Sequence, residues 1–305
     1  MTIARVIGIA LALLLFFDGH SFGRPAAQVA ATKATEIFQG DIVELKIPGV
    51  GVTAAEGRMG KTTIPFFSNG SGFYTALVGA DIEAKPGLVA VMVKCTTSTG
   101  TQRDSQISLR IKPKSFKKES FSVAAEFDQL SPEVLERIRK DQDQFSRAFM
   151  TSTPERLWDG RFLLPISSEV SSPFGYRRVI NGTPRAPHTG VDLRAALGSE
   201  VFAPNHGRVV LLGDFFFSGY SLVLDHGGGL YTMYFHLSEF KVEMGGAVRR
   251  GDVIGLSGMT GRVTGPHLHW GARINGARVD PFELVNKLGN SQSRIETDPT
   301  TDGAK

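Results

Sequence analysis

The amino-acid sequence predicts a mainly β protein in which one α-helix links two β domains. Residues 35–114 and 161–288 contain short apolar segments separated by turn residues, whereas residues 131–149 carry apolar residues at helical spacing. A chain of 305 residues is long enough for two ordinary domains. We therefore expect an N-terminal Ig-like β-sandwich (31–115), a helical linker (116–160) and a C-terminal β-rich domain (161–289).

The N-terminus resembles a secretory signal. Arg5 precedes the apolar run Val6–Phe17, and the small residues Ser21 and Gly23 follow it in the manner of a cleavage site. The run is shorter than the roughly 20 residues that cross a bilayer comfortably. We expect a signal peptide over residues 1–23, with an uncleaved anchor as the alternative. After cleavage we expect no stable membrane insertion and a location in the periplasm or cell envelope, or secretion.

The charge distribution favours an anionic polymer over nucleic acid as a partner. The formal net charge is +4, and no stripe of Arg and Lys with interleaved aromatic residues is present. A bias of this size suits contact with a cell envelope and does not indicate nucleic-acid binding. The final segment, residues 290–305, is poor in apolar residues, and we expect it to be disordered.

The N-terminal domain shows the alternation of strands that are buried on one face. Val89, Val91, Val93 and Cys95 recur at period two. Cys95 is the only cysteine, so no internal disulfide can form, and we expect a buried, inert thiol. We expect this domain to bind or to act as a spacer, because no cluster of His, Asp or Cys occurs in it.

One stretch of this domain imitates a phosphate-binding loop. AEGRMGKT at Ala55–Thr62 has Ala55 where the motif requires its first glycine. The stretch continues into Ile64–Phe67, a strand-like segment, so the helix N-terminus that would hold a phosphate is missing. We reject a nucleotide site here.

The linking helix begins at Ser131 and Pro132, which suit the N-cap and the first helical position. Val134, Ile138, Phe145 and Phe149 form one apolar stripe, and the other faces are densely charged. We expect the helix to pack between the two domains and to expose its charged face to solvent.

Three segments of the C-terminal domain supply candidate site residues. PHTGVDLRA contains His188 and Asp192, YFHLS contains His236 at the end of an apolar strand, and GPHLHWG contains His267 and His269. Residues i and i+2 of a strand project from one face, so His267 and His269 should point into the same space. Pro187 and Gly190 favour an extended segment rather than a helix around His188 and Asp192.

Four imidazoles and one carboxylate in an exported domain without disulfides suggest zinc. Catalytic zinc sites use three protein ligands and keep one position open, so two of the five groups would lie beside the metal rather than bind it. The spacing does not say which two. His206 and His226 lie in turn-like sequences and His20 lies in the signal region, so we assign them no role.

HTGVD, YFHLS and GPHLHWG, in this order, resemble the signatures of the lysostaphin-type (LytM-like) zinc metallopeptidases, and the similarity extends over Leu164–Leu288. The resemblance implies an antiparallel β-rich fold of the duplicated-hybrid-motif type and one Zn²⁺ per chain. It implies the metal ligands His188, Asp192 and His269 and the catalytic pair His236 and His267.

By the same resemblance, the substrate is the peptide part of bacterial peptidoglycan, its stem peptides or cross-bridges. We expect a zinc endopeptidase that cleaves D-alanyl–diaminopimelate cross-links, with glycine bridges as the alternative bond. A second reading is a non-catalytic envelope protein that binds peptidoglycan or activates a separate hydrolase. A third, a lipoyl or biotinyl carrier, rests on GGAVRRGDVIG (Gly245–Gly255), which lacks the lysine that such carriers modify.

Overall fold

The structure, a computed structural model, describes residues 34–121, 130–150 and 153–288. The predicted signal peptide and the predicted disordered tail lie outside the described residues. The described chain is mainly β, as predicted, with two α-helices. None of its described helices combines the length and the apolar character needed to cross a membrane.

Two sheets pack face to face in the N-terminal domain. The strands are β1 Thr35–Phe38, β2 Ile42–Pro48, β3 Val52–Met59, β4 Thr62–Pro65, β5 Phe67–Ser68, β6 Phe73–Gly79, β7 Gly87–Thr97 and β8 Gln102–Lys112. One sheet has the order β1-β8-β7-β3-β4 and the other β2-β6-β5. Residues of both sheets, including Leu45, Val78 and Val91, form one buried cluster. The predicted β-sandwich is therefore confirmed.

The two segments singled out in this domain both lie in its strands. Most of Ala55–Thr62, the segment that resembles a phosphate-binding loop, lies in the antiparallel β3–β4 hairpin, where Gly57 pairs with Ile64. Cys95 is buried in the sandwich core beside Val91 and Val93. Burial raises the pKa of the Cys95 thiol, which favours the protonated, unreactive form.

Helix α1 spans Pro132–Met150, with the Ser131 hydroxyl accepting the Val134 amide at 3.4 Å. The prediction that it packs between the two domains is wrong. Its apolar face lies on the sheet of the C-terminal domain. The centroid of the Phe145 ring is 4.7 Å from that of Phe215 and 5.6 Å from that of Phe235. The apolar stripe was predicted correctly, but a stripe alone does not specify which sheet it covers.

The C-terminal domain is built on a sheet of ten strands. The elements after α1, in chain order, are β10 Val170–Ser172, β11 Arg177–Ile180, β12 Thr183–Pro184, β13 Gly190–Arg194, β14 Glu200–Phe202, β15 Gly207–Phe215, β16 Gly219–Asp225, β17 Leu230–Phe240, β18 Ala247–Val248, β19 Val253–Ser257, β20 His267–Ile274, β21 Ala277–Val279 and α2 Phe282–Leu288. The main path runs β10-β13-β20-β17-β16-β15-β18, and its neighbouring strands pair antiparallel. The segment before α1 adds β9, Lys118–Phe121, which pairs parallel with β11.

The two domains share a contact surface between β6 and the β20–β21 hairpin. Ile42 and Leu77 of the sandwich join Ile274 and Val279 of the C-terminal domain in one buried cluster. Beside this cluster, the Arg278 guanidinium donates two hydrogen bonds to the Asp81 carboxylate, at 2.8 and 2.6 Å.

Candidate metal centre

Two neighbouring strands and the loop before one of them bring three donor residues together. Strands β13 and β20 pair antiparallel with Asp192 directly opposite His269. His188 lies in an extended loop two residues before β13, and its amide donates to the Tyr176 carbonyl at 2.9 Å. The predicted extended form of this segment is confirmed, and the His188 ring lies against the Asp192 carboxylate.

The three donor atoms surround one point. His188 Nε2 lies 3.0 Å from Asp192 Oδ1 and 3.1 Å from His269 Nδ1, and His269 Nδ1 lies 2.9 Å from Asp192 Oδ1. Ligands of a tetrahedral zinc ion with bonds of about 2.0–2.1 Å lie roughly 3.3 Å apart. The cluster therefore needs only a small expansion to accept such an ion.

A backbone carbonyl fixes the tautomer of His188. Its Nδ1 lies 3.0 Å from the Pro173 carbonyl oxygen, which can only accept a hydrogen bond. The proton therefore sits on Nδ1, and Nε2 presents a lone pair to the cluster. A carbonyl partner of this kind is typical of histidines that bind zinc.

The protonation states also suit a cation. Burial raises the pKa of the Asp192 carboxyl, but the close contacts with the His188 and His269 rings outweigh burial and hold that pKa well below its usual range. Burial lowers the pKa of His269 in spite of the nearby carboxylate. One carboxylate and unprotonated imidazole nitrogens form the donor set that zinc requires, so these residues fit the ion.

Close packing fixes the ring of His269. The Phe235 ring stacks on it at 5.1 Å with an interplanar angle of 3°. On the other side, a Cβ atom at Gly190 would lie 2.5 Å from His269 Nε2 and 2.6 Å from the Trp270 carbonyl oxygen. The site therefore needs glycine at position 190, since any side chain would displace the ring.

His236 and His267 form a second pair beside the three donors. Their ring centroids are 4.8 Å apart, and His267 Nε2 lies 3.8 Å from Asp192 Oδ1. His236 Nδ1 lies 2.9 Å from the Thr260 carbonyl oxygen, and His267 Nδ1 lies 2.9 Å from that of Gly265. Both histidines therefore carry their proton on Nδ1 and leave Nε2 as an acceptor.

The backbone of His236 is left-handed, with φ of 64°. This conformation occurs where β17 departs from regular pairing with β16, between Tyr220 and Leu222. The irregularity lets the imidazole turn toward His267, which a regular strand would not allow. Burial, together with the neighbouring His269, lowers the pKa of His236 to about 4 and keeps the ring neutral at neutral pH.

The remaining described histidines lie apart from the metal cluster. His226 is fully buried, and its ring nitrogens contact the His206 carbonyl oxygen at 2.6 Å and the Thr232 hydroxyl at 2.7 Å. These contacts indicate a structural role for His226. His206 lies at the surface end of the same group, where its Nδ1 accepts the Arg250 amide at 3.3 Å.

Several residues that shape the site were not singled out from the sequence. They are Pro173 and Thr260, which bind histidine protons through their carbonyls, and Phe235, which stacks on a donor ring. Thr260 lies within GDVIGLSGMTG, a segment that belongs to the family resemblance. Backbone carbonyls leave no residue-type signal, so only the structure reveals their roles.

Comparisons with known proteins agree with this geometry. Residues 186–281 match the model of peptidase family M23. A peptidoglycan DD-endopeptidase, ShyA of Vibrio cholerae, is 38% identical over 158 residues, covering 52% of this chain and 34% of that protein. A DD-carboxypeptidase/endopeptidase, Mpg of Neisseria meningitidis, is 45% identical over 121 residues, covering 39% of this chain and 28% of that protein. The chain thus spans about a third of the length of these curated relatives.

A solved structure resembles most of the chain. It is a protein of Pseudomonas aeruginosa assigned to peptidase M23, with a TM-score of 0.65 and 28% identity. The match covers 83% of this chain and 96% of that one. The predicted resemblance to the lysostaphin-type peptidases is confirmed, and the similarity in fold extends beyond the segment that the family model matches.

Proposed function

We propose that this chain, whose residues 186–281 match peptidase family M23, is a zinc endopeptidase that hydrolyses peptide cross-links of bacterial peptidoglycan. The observation that carries the proposal is the convergence of His188, Asp192 and His269, with the pair His236 and His267 beside them. Three ligands and an adjacent pair of proton acceptors are what metal-assisted peptide hydrolysis requires.

His188 Nε2, Asp192 Oδ1 and His269 Nδ1 would hold the ion. Bound zinc supplies Lewis acidity, which polarises a scissile carbonyl and lowers the pKa of water toward about 7. Pro173 and Phe235 keep two of the ligand rings oriented before substrate arrives. This preorganisation avoids a rearrangement of the site during the reaction.

The catalytic pair supplies the proton transfers. His236 and His267 each keep Nε2 unprotonated, because Nδ1 donates to a backbone carbonyl. Either ring can accept a proton from the attacking water and then donate it to the leaving amine. No glutamate is needed for this role, because an imidazole nitrogen with a free lone pair can accept a proton from water and then return it.

We assign D-alanyl–diaminopimelate cross-links as the scissile bonds, with glycine bridges as the alternative. Supporting this choice, the relative from Vibrio cholerae is named as a peptidoglycan DD-endopeptidase and that from Neisseria meningitidis as a DD-carboxypeptidase/endopeptidase. The proposed site of action is the cell envelope, in keeping with the predicted signal peptide.

Zymography on purified peptidoglycan tests the activity. We expect clearing by the zinc-loaded protein, loss of clearing with a chelator, and recovery when zinc is returned. The control is a His269→Ala variant prepared in the same way. Absence of clearing by a protein that contains one zinc per chain would favour the non-catalytic reading, in which the chain activates a separate hydrolase.

A further inference from the structure

The turn between β15 and β16, Phe216–Ser218, lies directly against His236. The Ser218 carbonyl oxygen accepts the His236 amide at 2.9 Å. The Phe217 carbonyl oxygen accepts the Arg262 amide at 2.9 Å, two residues after the Thr260 carbonyl that binds the His236 ring. The turn therefore contacts both the backbone of His236 and the segment that orients its imidazole.

A second set of contacts locks the turn to that segment. The Thr260 hydroxyl accepts the Tyr220 amide at 2.8 Å and donates to the Leu237 carbonyl at 2.7 Å. A Cβ atom at Gly219 would lie 2.3 Å from the Thr260 carbonyl carbon, so the backbones of these two segments are in direct contact at this point. A shift of the turn would consequently displace Thr260, whose carbonyl binds the His236 ring, and Leu237, which follows His236 in the backbone.

Helix α1 holds the turn from the opposite side. Asp141 Oδ2 accepts the Phe216 amide at 2.7 Å, a short, charge-assisted hydrogen bond. One helical turn earlier, the Arg137 guanidinium pairs with Asp214 at 3.3 Å and lies 5.9 Å from the centre of the Phe216 ring. The aromatic contacts of Phe145 with Phe215 and Phe235 fix the helix over the same region.

We propose that Asp141 is a positioning residue for His236. Its carboxylate holds the turn where the Ser218 carbonyl meets the His236 amide, and this bond supports the left-handed backbone that points the imidazole at His267. A left-handed histidine persists only where its surroundings enforce it. Helix α1 lies outside residues 186–281, so this support comes from a part of the chain that the family model does not include.

The catalytic meaning of this inference rests on the proposed function. Without the Asp141 acceptor, the Phe216 amide loses its partner and the turn can move, after which His236 can relax toward an ordinary extended backbone. His188, Asp192 and His269 contact neither the turn nor α1 through any of the hydrogen bonds described above. The expected defect is therefore in turnover and not in zinc binding.

Three variants test the proposal: Asp141→Ala, Asp141→Asn, which keeps an acceptor oxygen, and Asp143→Ala as the control. Asp143 lies on the exposed side of the same helix and pairs with Arg139 at 3.1 Å. The measurements are kcat and KM on a cross-linked muropeptide dimer, bound zinc, and amide hydrogen exchange at Phe216 and His236. For Asp141→Ala we expect kcat to fall about ten- to a hundredfold with KM nearly unchanged. We also expect full zinc content and faster exchange at both amides.

The other variants complete the test. Asp141→Asn should retain most of the kcat, and Asp143→Ala should match the wild type. A kcat for Asp141→Ala equal to that of the control, or a loss that accompanies lost zinc, would overturn the proposal. Failure of Asp141→Asn to rescue kcat would also overturn it. If the wild type does not cleave the dimer, the proposed function fails, and amide exchange alone then decides the positioning role.

Discussion

At the scale of single residues, the site depends on contacts that set the direction of each imidazole. His188, His236 and His267 each donate from Nδ1 to a backbone carbonyl, and His269 is held by the Phe235 ring and by close approach to Gly190. These contacts separate the five groups into three that face one another and two that lie beside them. Because His269 belongs to the first group and His236 to the second, we expect their substitutions to have different effects on zinc content and turnover.

Replacing His269 by Ala should strip the metal, because it removes one of three proposed ligands. His236→Ala should keep zinc and lose about 10²–10⁴-fold in turnover, because it removes a proton-transfer group. Bound zinc by elemental analysis and kcat on peptidoglycan fragments measure the two effects. Equal loss of zinc in both variants would contradict the division of roles.

His226 predicts a pH dependence of stability. Burial lowers its pKa from 6.5 to about 4, so the folded protein keeps the ring neutral while the unfolded chain protonates below 6.5. The unfolded state then binds more protons, and stability is lost as pH falls from about 6.5 to 4, by on the order of 3 kcal/mol. Above pH 6.5 this residue makes no contribution to the slope.

Urea unfolding of the chelator-treated protein at several pH values measures this effect. The control is His226→Gln, whose side chain does not titrate. Its free energy of unfolding should change with pH less steeply than that of the wild type, by up to one proton, between about pH 6.5 and 4. Identical slopes for the two proteins would refute the role of His226.

Only part of the site could be predicted from local sequence patterns. The period of a strand correctly placed His267 and His269 on one face of β20. It could not place Asp192 opposite His269, because register between β13 and β20 depends on pairing that no local pattern encodes. The left-handed backbone of His236 could not be predicted either, because no residue type in YFHLS signals an irregular strand.

At the scale of elements, helix α1 has two consequences for the site. Its boundaries were predictable from the cap at Ser131 and from the apolar stripe, but its location was not. An amphipathic helix buries its stripe on any apolar surface within reach, and here that surface is the C-terminal sheet. Phe145 contacts Phe235, and Phe235 stacks on His269, so the helix packs against a neighbour of the His269 ring as well as against the β15–β16 turn.

Phe145→Ala should therefore lower the free energy of unfolding by about 2–4 kcal/mol, since it removes an aromatic side chain packed on the sheet. Chemical denaturation measures the change. Leu135→Ala is the matched control, because Leu135 lies on the same helix with 53% of its surface exposed. A loss at Phe145 no larger than that at Leu135 would mean that α1 does not stabilise the domain.

At the scale of the whole molecule, the sandwich and the C-terminal domain are joined by a buried cluster and by the pair Arg278–Asp81. Burial raises the pKa of the Asp81 carboxyl, but the hydrogen bonds from Arg278 lower it below its usual range. The sequence predicted both domains from strand alternation. It did not predict the interface between them, because Asp81 and Arg278, which pair there, are separated by 197 positions in the sequence.

Arg278→Ala should lower the free energy of unfolding by about 1–3 kcal/mol, because it removes two charge-assisted side-chain hydrogen bonds from the half-buried Asp81 carboxylate. Thermal and chemical unfolding measure the change. Lys241→Ala is the control, since Lys241 pairs with Glu239 at an exposed site within one domain. There we expect an effect below about 1 kcal/mol. Equal effects would show that the Arg278–Asp81 pair at the domain interface contributes no more to stability than a surface ion pair.

Above all, we propose that this chain hydrolyses peptide cross-links with its own zinc site. Mass spectrometry of a purified, D-alanyl–diaminopimelate-linked muropeptide dimer, incubated with the zinc-loaded protein, tests it most directly. We expect two monomers whose combined mass equals that of the dimer plus one water, and no monomers with His236→Ala over the same time. An unchanged dimer in the presence of a protein that carries one zinc per chain would contradict the claim.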